Sequence, residues 1–352
     1  MGPRLVLHVG TMKTGTSYLQ GRLFENQSEL AERGVLVPAA GWGEHVGAAR
    51  ALAHDDLEPW NRLIGQVRRH DGTSVISTER LGPLRRPLVE RVRESLAGID
   101  VQIVITARDL NRSIPALWQE TIQNGRTWRY ADYLDGIEAW RPGHRDDTPE
   151  RPEAGRAFWR QMDLVRIVRI WHTVFGADRV VVITLPPPGA PRDLLWTRFC
   201  SVVGVEPDGM RESNRPNASL GAASAMAVRR LNELLDAESL PYPAGATLRK
   251  RVLGKTILAA RRPDEPSIGL SPRPWVHEQT ARTRRALSRI DPRIIGSLDE
   301  LEPVEVPGVD PASVTAEQVA EAALAGLAGV LARQIRGGEG GEAEPDDRDD
   351  ED

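Results

Sequence analysis

The sequence predicts a doubly wound α/β fold with about five parallel strands and a mostly helical C-terminal third. Apolar runs too short for helices alternate with segments whose apolar residues recur at helical spacing. The first of these runs, Leu5 to Val9, ends at Gly10, and a helical segment begins a few residues later. This alternation is typical of parallel sheets that bind a ligand at the first strand-to-helix turn.

Length and composition fit such a domain and exclude several classes of protein. The chain has 352 residues, enough for one large α/β domain with appended helices. No stretch approaches the ~18 apolar residues of a membrane span. The chain enters its first strand directly, which predicts no signal peptide and a cytoplasmic protein. A formal charge of −4 argues against a nucleic-acid partner, and the single cysteine, Cys200, is expected to be buried and inert.

The loop after the first strand has the spacing of a phosphate-binding loop. Four residues separate Gly10 from Gly15, as in the nucleotide-binding P-loop, so backbone N–H groups and a helix N-terminus can converge on an anion. However, Thr16 stands where a P-loop NTPase carries its lysine, and Lys13 comes earlier in the loop. The simpler interpretation is an ordinary helix start in which Thr14 is the cap and Gly15 is tolerated.

The remaining elements are predicted in order along the chain. The first helix should run from about residue 14 to 33 and end at Gly34, before a short second strand at 35–37. Later strands are predicted at 74–78, 101–107 and 180–184, with an additional edge strand at 293–296. Further helices should begin near residues 46, 57, 84, 157, 193, 217, 275 and 314, and the helix from 157 should continue to Gly176.

Two side chains that can accept a proton follow predicted strands. Glu79 comes directly after Thr78 at the end of the third strand, and His45 follows the second strand. Both should lie at the ligand-binding edge of the sheet, and Glu79 should be nearer the loop because the third strand usually neighbours the first. The alternatives are that Glu79 caps a helix or pairs with Arg80 or Arg85, and that His45 is a solvated loop residue.

The segment Lys-Thr-Gly-Thr-Ser at 13–17 resembles the phosphosulfate-binding loop of the sulfotransferases. These enzymes share the P-loop NTPase fold and use 3′-phosphoadenosine 5′-phosphosulfate (PAPS) as donor. Segments at 107–120 and 180–189 resemble a bacterial branch of these proteins, and the resemblance covers most of residues 1–235. It implies that the donor's phosphosulfate is bound by residues Thr11, Lys13, Thr14, Gly15, Thr16 and Ser17.

The resemblance also implies a site for the donor's 3′-phosphate at the end of the fourth strand. Arg108 matches the family's arginine there, and a guanidinium suits a phosphate dianion. The family's serine follows eight positions later, where this chain has Ala116, whereas Ser113 comes earlier. Either Ser113 substitutes for it, or backbone amides and other basic residues, such as those at 248–262, hold the phosphate. The alternative for Arg108 is a surface ion pair with Asp109.

The function implied by the resemblance is transfer of a sulfuryl group from PAPS to a hydroxyl or amine. Lys13 would stabilise the leaving oxygen, and Glu79 or His45 would take the acceptor's proton. The acceptor is expected to be a small molecule or carbohydrate, no metal site is expected, and the sequence does not indicate an oligomeric state. The alternatives are a P-loop kinase-like phosphotransferase, disfavoured by Thr16, and a non-catalytic nucleotide-binding scaffold.

The chain is predicted to divide into a PAPS-binding core at 1–235, a helical extension packed on the core at 236–336, and a disordered acidic tail at 337–352. The charged, Pro- and Gly-rich stretch at 141–156 is expected to be a mobile surface loop or lid. Most of the tryptophans in the middle third should belong to the core, namely Trp118, Trp128, Trp140, Trp159 and Trp171.

Overall fold

A computed structural model describes residues 2–143, 152–213, 219–240 and 245–339. The described strands form one six-stranded, fully parallel sheet in the order β2-β3-β1-β4-β5-β6. The strands are β1 Arg4–His8, β2 Val35–Leu36, β3 Thr73–Ser77, β4 Asp100–Ala107, β5 Val180–Thr184 and β6 Arg293–Ile295. The predicted doubly wound α/β fold is confirmed, and the predicted edge strand is the sixth member of the sheet.

The helices follow the strands in the alternation that the sequence predicts. They are α1 Thr16–Glu25, α2 Gln27–Glu32, α3 Trp42–Ala53, α4 Glu58–Arg69, α5 Arg86–Ser95, α6 Leu110–Gln123, α7 Tyr130–Ala139, α8 Glu153–Met162, α9 Leu164–Phe175, α10 Leu194–Val203, α11 Ala222–Ala237, α12 Pro274–Ile290 and α13 Ala316–Glu339. A π-helix spans Leu248–Ile257, and 3₁₀ turns occur at Ala177–Arg179, Leu258–Asp264, Leu298–Leu301 and Pro311–Ser313.

Two helices that were each predicted as continuous are interrupted by a short polar residue. The first breaks at Asn26, whose side chain donates to the carbonyl groups of Arg22 and Arg211. The second breaks at Asp163, whose carboxylate accepts from the backbone N–H of Arg166 and caps α9. Both side chains bond nearby backbone groups and so compete with helix continuation. The predictions of single helices were wrong at these two points.

The core lies on both faces of the sheet, because side chains alternate along each strand. Along β1, Leu5 and Leu7 belong to one buried cluster and Val6 to the other. The first cluster is completed by residues of α3, α4, α5, α9 and α12, and the second by residues of α1, α2 and α10. The loop that leaves β1 therefore starts from a strand that is buried on both sides.

The chain forms two compact units. The first comprises residues 1–110, 157–217 and 274–303 and contains the whole sheet. The second comprises residues 111–156, 218–273 and 304–352. The first unit takes β6 from the C-terminal third, and the second unit takes residues 111–156, while the predicted boundary at residue 235 stays a prediction. Most of the predicted lid and of the acidic tail, at 144–151 and 340–352, lies outside the described residues.

Burial agrees with most of the predictions made for single apolar residues. Trp118, Trp159 and Trp171 are buried, whereas Trp128 and Trp140 are partly exposed. Cys200 is buried, and its burial raises the pKa of the thiol to about 12, which makes it unreactive at neutral pH. Within the described ranges, no helix has the length and apolar character needed to cross a bilayer.

Candidate active site

The loop between β1 and α1 is hydrogen-bonded to β4 through backbone groups. Thr11 N donates to Thr106 O at 2.9 Å, and Thr106 N donates to Gly10 O at 2.6 Å. These bonds continue the pairing of β1 and β4 past the end of β1. Lys13 follows in the left-handed region at φ 58°, which is uncommon for a residue with a side chain. The hydrogen bonds to Thr106 therefore fix the loop at the carboxyl edge of the sheet.

Beneath the loop, a chain of buried polar side chains joins the ends of three strands to it. His8 Nδ1 lies 2.8 Å from Ser77 Oγ and His8 Nε2 lies 3.0 Å from Thr106 Oγ1, which is 2.6 Å from Thr14 Oγ1. The Thr14 hydroxyl donates to Thr11 O, so Thr106 must donate to Thr14, and His8 Nε2–H must donate to Thr106. Ser77 then donates to Nδ1.

Burial lowers the pKa of His8 to about 3, so the ring is neutral in the native protein. A neutral imidazole with one donor and one acceptor is what this hydrogen-bond chain requires. The sequence interpretation did not identify this role of His8. The sequence feature that could have indicated this role is a histidine inside an otherwise apolar strand that runs directly into the loop.

The helix α1 begins in a way that leaves its first turn open to an anion. Gly15 occupies the N-cap position at φ 81°, and no side chain caps the helix. The hydroxyl of Thr14 bonds Thr11 and Thr106 instead, so the ordinary helix start capped by Thr14 is not what the structure contains. The N–H groups of an uncapped first turn, together with the helix dipole, favour a negatively charged ligand.

Glu79 lies beside this loop at the end of β3. A Cβ atom placed on Gly10 would be 3.0 Å from Glu79 Cα, so the two backbones are in close contact. The carboxylate is half-buried, and its Oε2 lies 3.5 Å from Gln20 Nε2. Gln20 also donates to Ser77 O at 2.9 Å, which fixes the amide.

The structural alternatives for the Glu79 carboxylate are not observed. No side chain caps α5, the helix that follows. Among the described residues, Glu79 has no ion-pair partner, and this includes Arg80 and Arg85. The contact of this carboxylate with Gln20 is therefore not accompanied by an ion pair or a helix cap in the described part of the chain.

His45 occupies a different environment from the one predicted for it. It lies on α3 and is fully buried rather than solvated. Its Nε2 lies 2.8 Å from Pro38 O, and its Nδ1 accepts from Ser77 N at 3.3 Å. Burial lowers the pKa of His45 despite these backbone hydrogen bonds. Both ring nitrogens are engaged in holding neighbouring backbone, so the imidazole presents no open lone pair to a substrate.

Arg108 lies at the other side of the loop, where β4 ends. Its Nη1 donates to Lys13 O at 3.2 Å. It also lines a cleft whose polar wall is formed by α12, a helix that the sequence interpretation did not connect with the site. The polar or aromatic residues of this cleft are Thr11, Arg108, Trp159, Gln279, Thr280 and Thr283. Gln279 and Thr280 are almost fully buried, although both line the cleft.

Ser113 and the basic segment at 248–262 belong to the second unit. Ser113 is buried on α6. In the basic segment, Lys250 pairs with Glu120 at 2.8 Å and Arg261 pairs with Glu265 at 3.0 Å, so these cations have partners within their own unit. The predicted role of Ser113 stays a prediction. No group of three or more His, Cys, Asp or Glu side chains in the described part of the chain is arranged to hold a metal ion.

Comparison with known proteins gives one distant similarity. No protein-family model matches the chain, and no curated protein sequence does so either. Among solved structures, the crystal structure of a sulfotransferase from Alicyclobacillus acidocaldarius is 15% identical, covers 72% of this chain and 96% of its own, and has a TM-score of 0.41. At this identity and TM-score, the similarity carries no argument about activity.

Proposed function

We propose that this protein is a sulfotransferase that moves a sulfuryl group from PAPS to a hydroxyl or amine and releases adenosine 3′,5′-bisphosphate. The observation that carries the proposal is Glu79, whose backbone lies against Gly10 of a loop that leads into an uncapped helix and whose carboxylate has no ion-pair partner among the described residues. A proton acceptor and an anion site are thereby adjacent. The resemblance of residues 13–17 to the phosphosulfate loop supports the choice of donor.

The residues around the loop suit both ends of this donor. The open first turn of α1 and the Lys13 ammonium suit the phosphosulfate, because both offer positive charge and donors to one anion. Arg108 suits the 3′-phosphate. In the cleft beside it, the hydroxyl groups of Thr280 and Thr283 could donate further hydrogen bonds, in place of the serine that the chain lacks at 116.

The proposed reaction is an in-line displacement at sulfur, and PAPS supplies the activated sulfuryl group. The acceptor oxygen or nitrogen forms a bond to sulfur while the bond from sulfur to the bridging phosphate oxygen breaks. Glu79 takes the acceptor's proton as the new bond forms. Lys13 and the loop N–H groups offset the negative charge that develops on the leaving oxygen.

Glu79 is assigned the base role, and His45 is not. Glu79 is partly exposed and its backbone contacts the loop, whereas the imidazole is fully buried and bonded at both nitrogens. The strand order supports the assignment, since β3 neighbours β1 and β2 lies one place further out. A phosphotransferase is disfavoured because Thr16 stands at the position of the P-loop lysine, and a scaffold would not need Glu79.

The proposal is tested with Glu79→Gln, which keeps the shape of the side chain and removes its basicity. Release of adenosine 3′,5′-bisphosphate from PAPS is measured with a panel of phenol, sugar and amine acceptors. The variant should lose about 100-fold or more in turnover and retain its nucleotide affinity, because the base acts on the acceptor. Glu90→Gln, on the surface of α5, serves as the control. Full turnover by Glu79→Gln would contradict the assignment of the base.

A further inference from the structure

Thr106, near the end of β4, contacts the loop between β1 and α1 at three residues. Its backbone N–H donates to Gly10 O at 2.6 Å, and its carbonyl accepts from Thr11 N at 2.9 Å. Its side-chain Oγ1 lies 2.6 Å from Thr14 Oγ1. The side chains of Thr106 and Thr14 are fully buried. One residue of the sheet therefore holds both the start and the middle of the loop.

His8 sets the direction in which the Thr106 hydroxyl donates. The ring is neutral and fully buried, with Nδ1 2.8 Å from Ser77 Oγ and Nε2 3.0 Å from Thr106 Oγ1. If the proton is on Nε2, Thr106 accepts from His8 and gives its own hydrogen to Thr14, whose hydroxyl can then donate to Thr11 O. With the proton on Nδ1, Thr106 would donate to His8, and Thr14 would have one hydrogen for two acceptors. The Nε2 tautomer therefore satisfies every contact in this chain.

The hydroxyl of Thr14 points into the protein and not toward a ligand of the loop. Both of its partners, Thr11 O and Thr106 Oγ1, are protein atoms, and the residue has no exposed surface. The next residue is Gly15, the N-cap of α1, which no side chain caps. The backbone N–H groups from here into the first turn are the donors that the loop offers to an anion. Fixing the Thr14 side chain therefore also fixes the peptide groups that would face the anion.

We propose that Thr106 and His8 are positioning residues for the donor, which hold the loop in its anion-binding conformation through Thr14 and touch no part of the ligand. This role rests on the proposed function, because the ligand of the loop is taken to be the phosphosulfate of PAPS. The Thr14 hydroxyl then contributes to affinity through the shape of the loop, and not by a hydrogen bond to the donor's oxygens. His8 contributes by keeping one tautomer, which directs the Thr106 hydroxyl to Thr14.

The affinity of the folded protein for adenosine 3′,5′-bisphosphate, measured by isothermal titration calorimetry, tests this role. Thr106→Val keeps the shape of the side chain and removes the hydroxyl, so it should weaken binding about tenfold, whereas Thr106→Ser should bind as the wild type does. Thr184→Val is the matched control. Thr184 is also fully buried at the end of a strand, but its hydroxyl bonds Glu300 and not the loop. The control should lose stability and keep its affinity.

A double-variant cycle separates positioning from direct contact. If the Thr106 and Thr14 hydroxyls act as one unit, Thr14→Val should also weaken binding about tenfold, and the double variant should be about as weak as either single variant. If the Thr14 hydroxyl bonds the anion, Thr14→Val loses affinity and Thr106→Val keeps it, which would overturn the proposal. Losses that multiply to about 100-fold would also overturn it, because they would show two independent contributions.

The ligand-free protein gives a test that does not depend on the identity of the donor. Nitrogen-15 NMR of the histidine-labelled wild type at pH 7 should show His8 protonated at Nε2, and a proton on Nδ1 would contradict the proposal. In Thr106→Val, hydrogen exchange of the Thr11 amide should accelerate at least about tenfold. The Val9 amide, which donates to Val104 O at 3.0 Å, should keep its protection as the internal control. Unchanged exchange at Thr11 would show that Thr106 does not hold the loop.

Failure of the proposed function would give a different set of results. A wild type that binds no adenosine 3′,5′-bisphosphate, but shows the Nε2 tautomer and faster exchange in Thr106→Val, would overturn the donor and support the role of Thr106 in holding the loop. A wild type that binds the nucleotide, with unchanged affinity in Thr106→Val, would overturn the positioning role and not the donor. Circular dichroism shows whether each variant is folded. If Thr106→Val does not fold, the affinity and exchange of Thr14→Val and the His8 tautomer of the wild type decide.

Discussion

At the scale of single residues, Lys13 is the cation most directly tied to the proposed chemistry. Its backbone is held in a left-handed conformation, and its carbonyl accepts from Arg108 at 3.2 Å. Lys13→Ala should reduce turnover of PAPS by ~100-fold or more, because a preorganised cation at a developing charge contributes on the order of 3 kcal/mol. The fold should be unchanged by circular dichroism. Arg62→Ala, which removes an exposed cation of α4, should keep full activity.

Unchanged turnover in Lys13→Ala would remove the sulfotransferase proposal, since no other lysine lies in the loop. An equal loss of activity in Arg62→Ala would show that turnover depends on the net charge of the protein and not on the position of Lys13.

His8 predicts how stability depends on pH. Its pKa is lowered to about 3 by burial, from an ordinary value near 6.5. The unfolded state therefore binds more protons than the native state between these pH values, so the free energy of unfolding rises with pH there. The contribution of His8 to the free energy of unfolding should be complete above about pH 6.5. Below this pH the free energy of unfolding should fall by roughly 1 kcal/mol for each pH unit.

Urea unfolding at pH 7 and pH 5, for wild type and His8→Gln, measures this contribution. The variant should be less stable at pH 7, because the chain of hydrogen bonds to Ser77 and Thr106 is disturbed. Its stability should also change less between the two pH values. A wild type and variant with the same pH dependence would show that other groups, such as buried His45, dominate.

At the scale of elements, the loop and the end of β3 form one assembly. The close contact between Gly10 and Glu79 needs a residue without Cβ, because the nearest atoms belong to the Glu79 backbone and cannot rotate away. Gly10 also has φ 103°, which favours glycine. Gly10→Ala should therefore displace Glu79 relative to the loop.

We predict that Gly10→Ala lowers stability by about 1–3 kcal/mol and reduces turnover strongly. Gly34→Ala is the matched control. Gly34 also has a positive φ, of 76°, but a Cβ atom there would meet nothing within 4 Å. It should lose stability from backbone strain and keep its activity per folded molecule, as measured by initial rates and thermal unfolding. Equal effects of the two variants on turnover would show that the Gly10–Glu79 contact does not position the base.

Elements with a strong local signal were predictable from the sequence. The apolar runs of β3, β4 and β5 and the glycine-flanked loop each carry their own pattern, so their types and order were predicted correctly. The breaks at Asn26 and Asp163 were missed because helical periodicity continues across them, while the break depends on side-chain hydrogen bonds.

The parts of the site that were missed depend on contacts distant in sequence. Gln279, Thr280 and Thr283 are ordinary polar residues of a helix, and only the fold brings them to Arg108. Likewise, burial of His45 depends on how α3 packs against β3, which no local pattern specifies. Glu79 was identified because a carboxylate directly after a buried strand is visible in the sequence itself.

At the scale of the whole molecule, ligand binding should be coupled to stability. The proposed donor residues come from distant parts of the first unit, namely the loop after β1, the end of β4 and helix α12. A ligand that contacts all three binds the native state and not the unfolded state, so it raises the free energy of unfolding. A ligand present at 100 times its dissociation constant contributes about 2.7 kcal/mol. For a chain of this size we expect the melting temperature to rise by several degrees.

The final prediction uses this coupling to test Arg108. Adenosine 3′,5′-bisphosphate should raise the melting temperature of the wild type, adenosine 5′-monophosphate should raise it slightly, and Mg-ATP should not. In Arg108→Ala the first shift should fall to about the size of the second, which should persist, because the 3′-phosphate is the one group of the ligand that we expect the guanidinium to contact. Arg86→Ala, a surface arginine of α5, is the control. Equal losses for both nucleotides would mean that Arg108 acts by supporting Lys13 O, and a larger shift with Mg-ATP would favour a phosphotransferase.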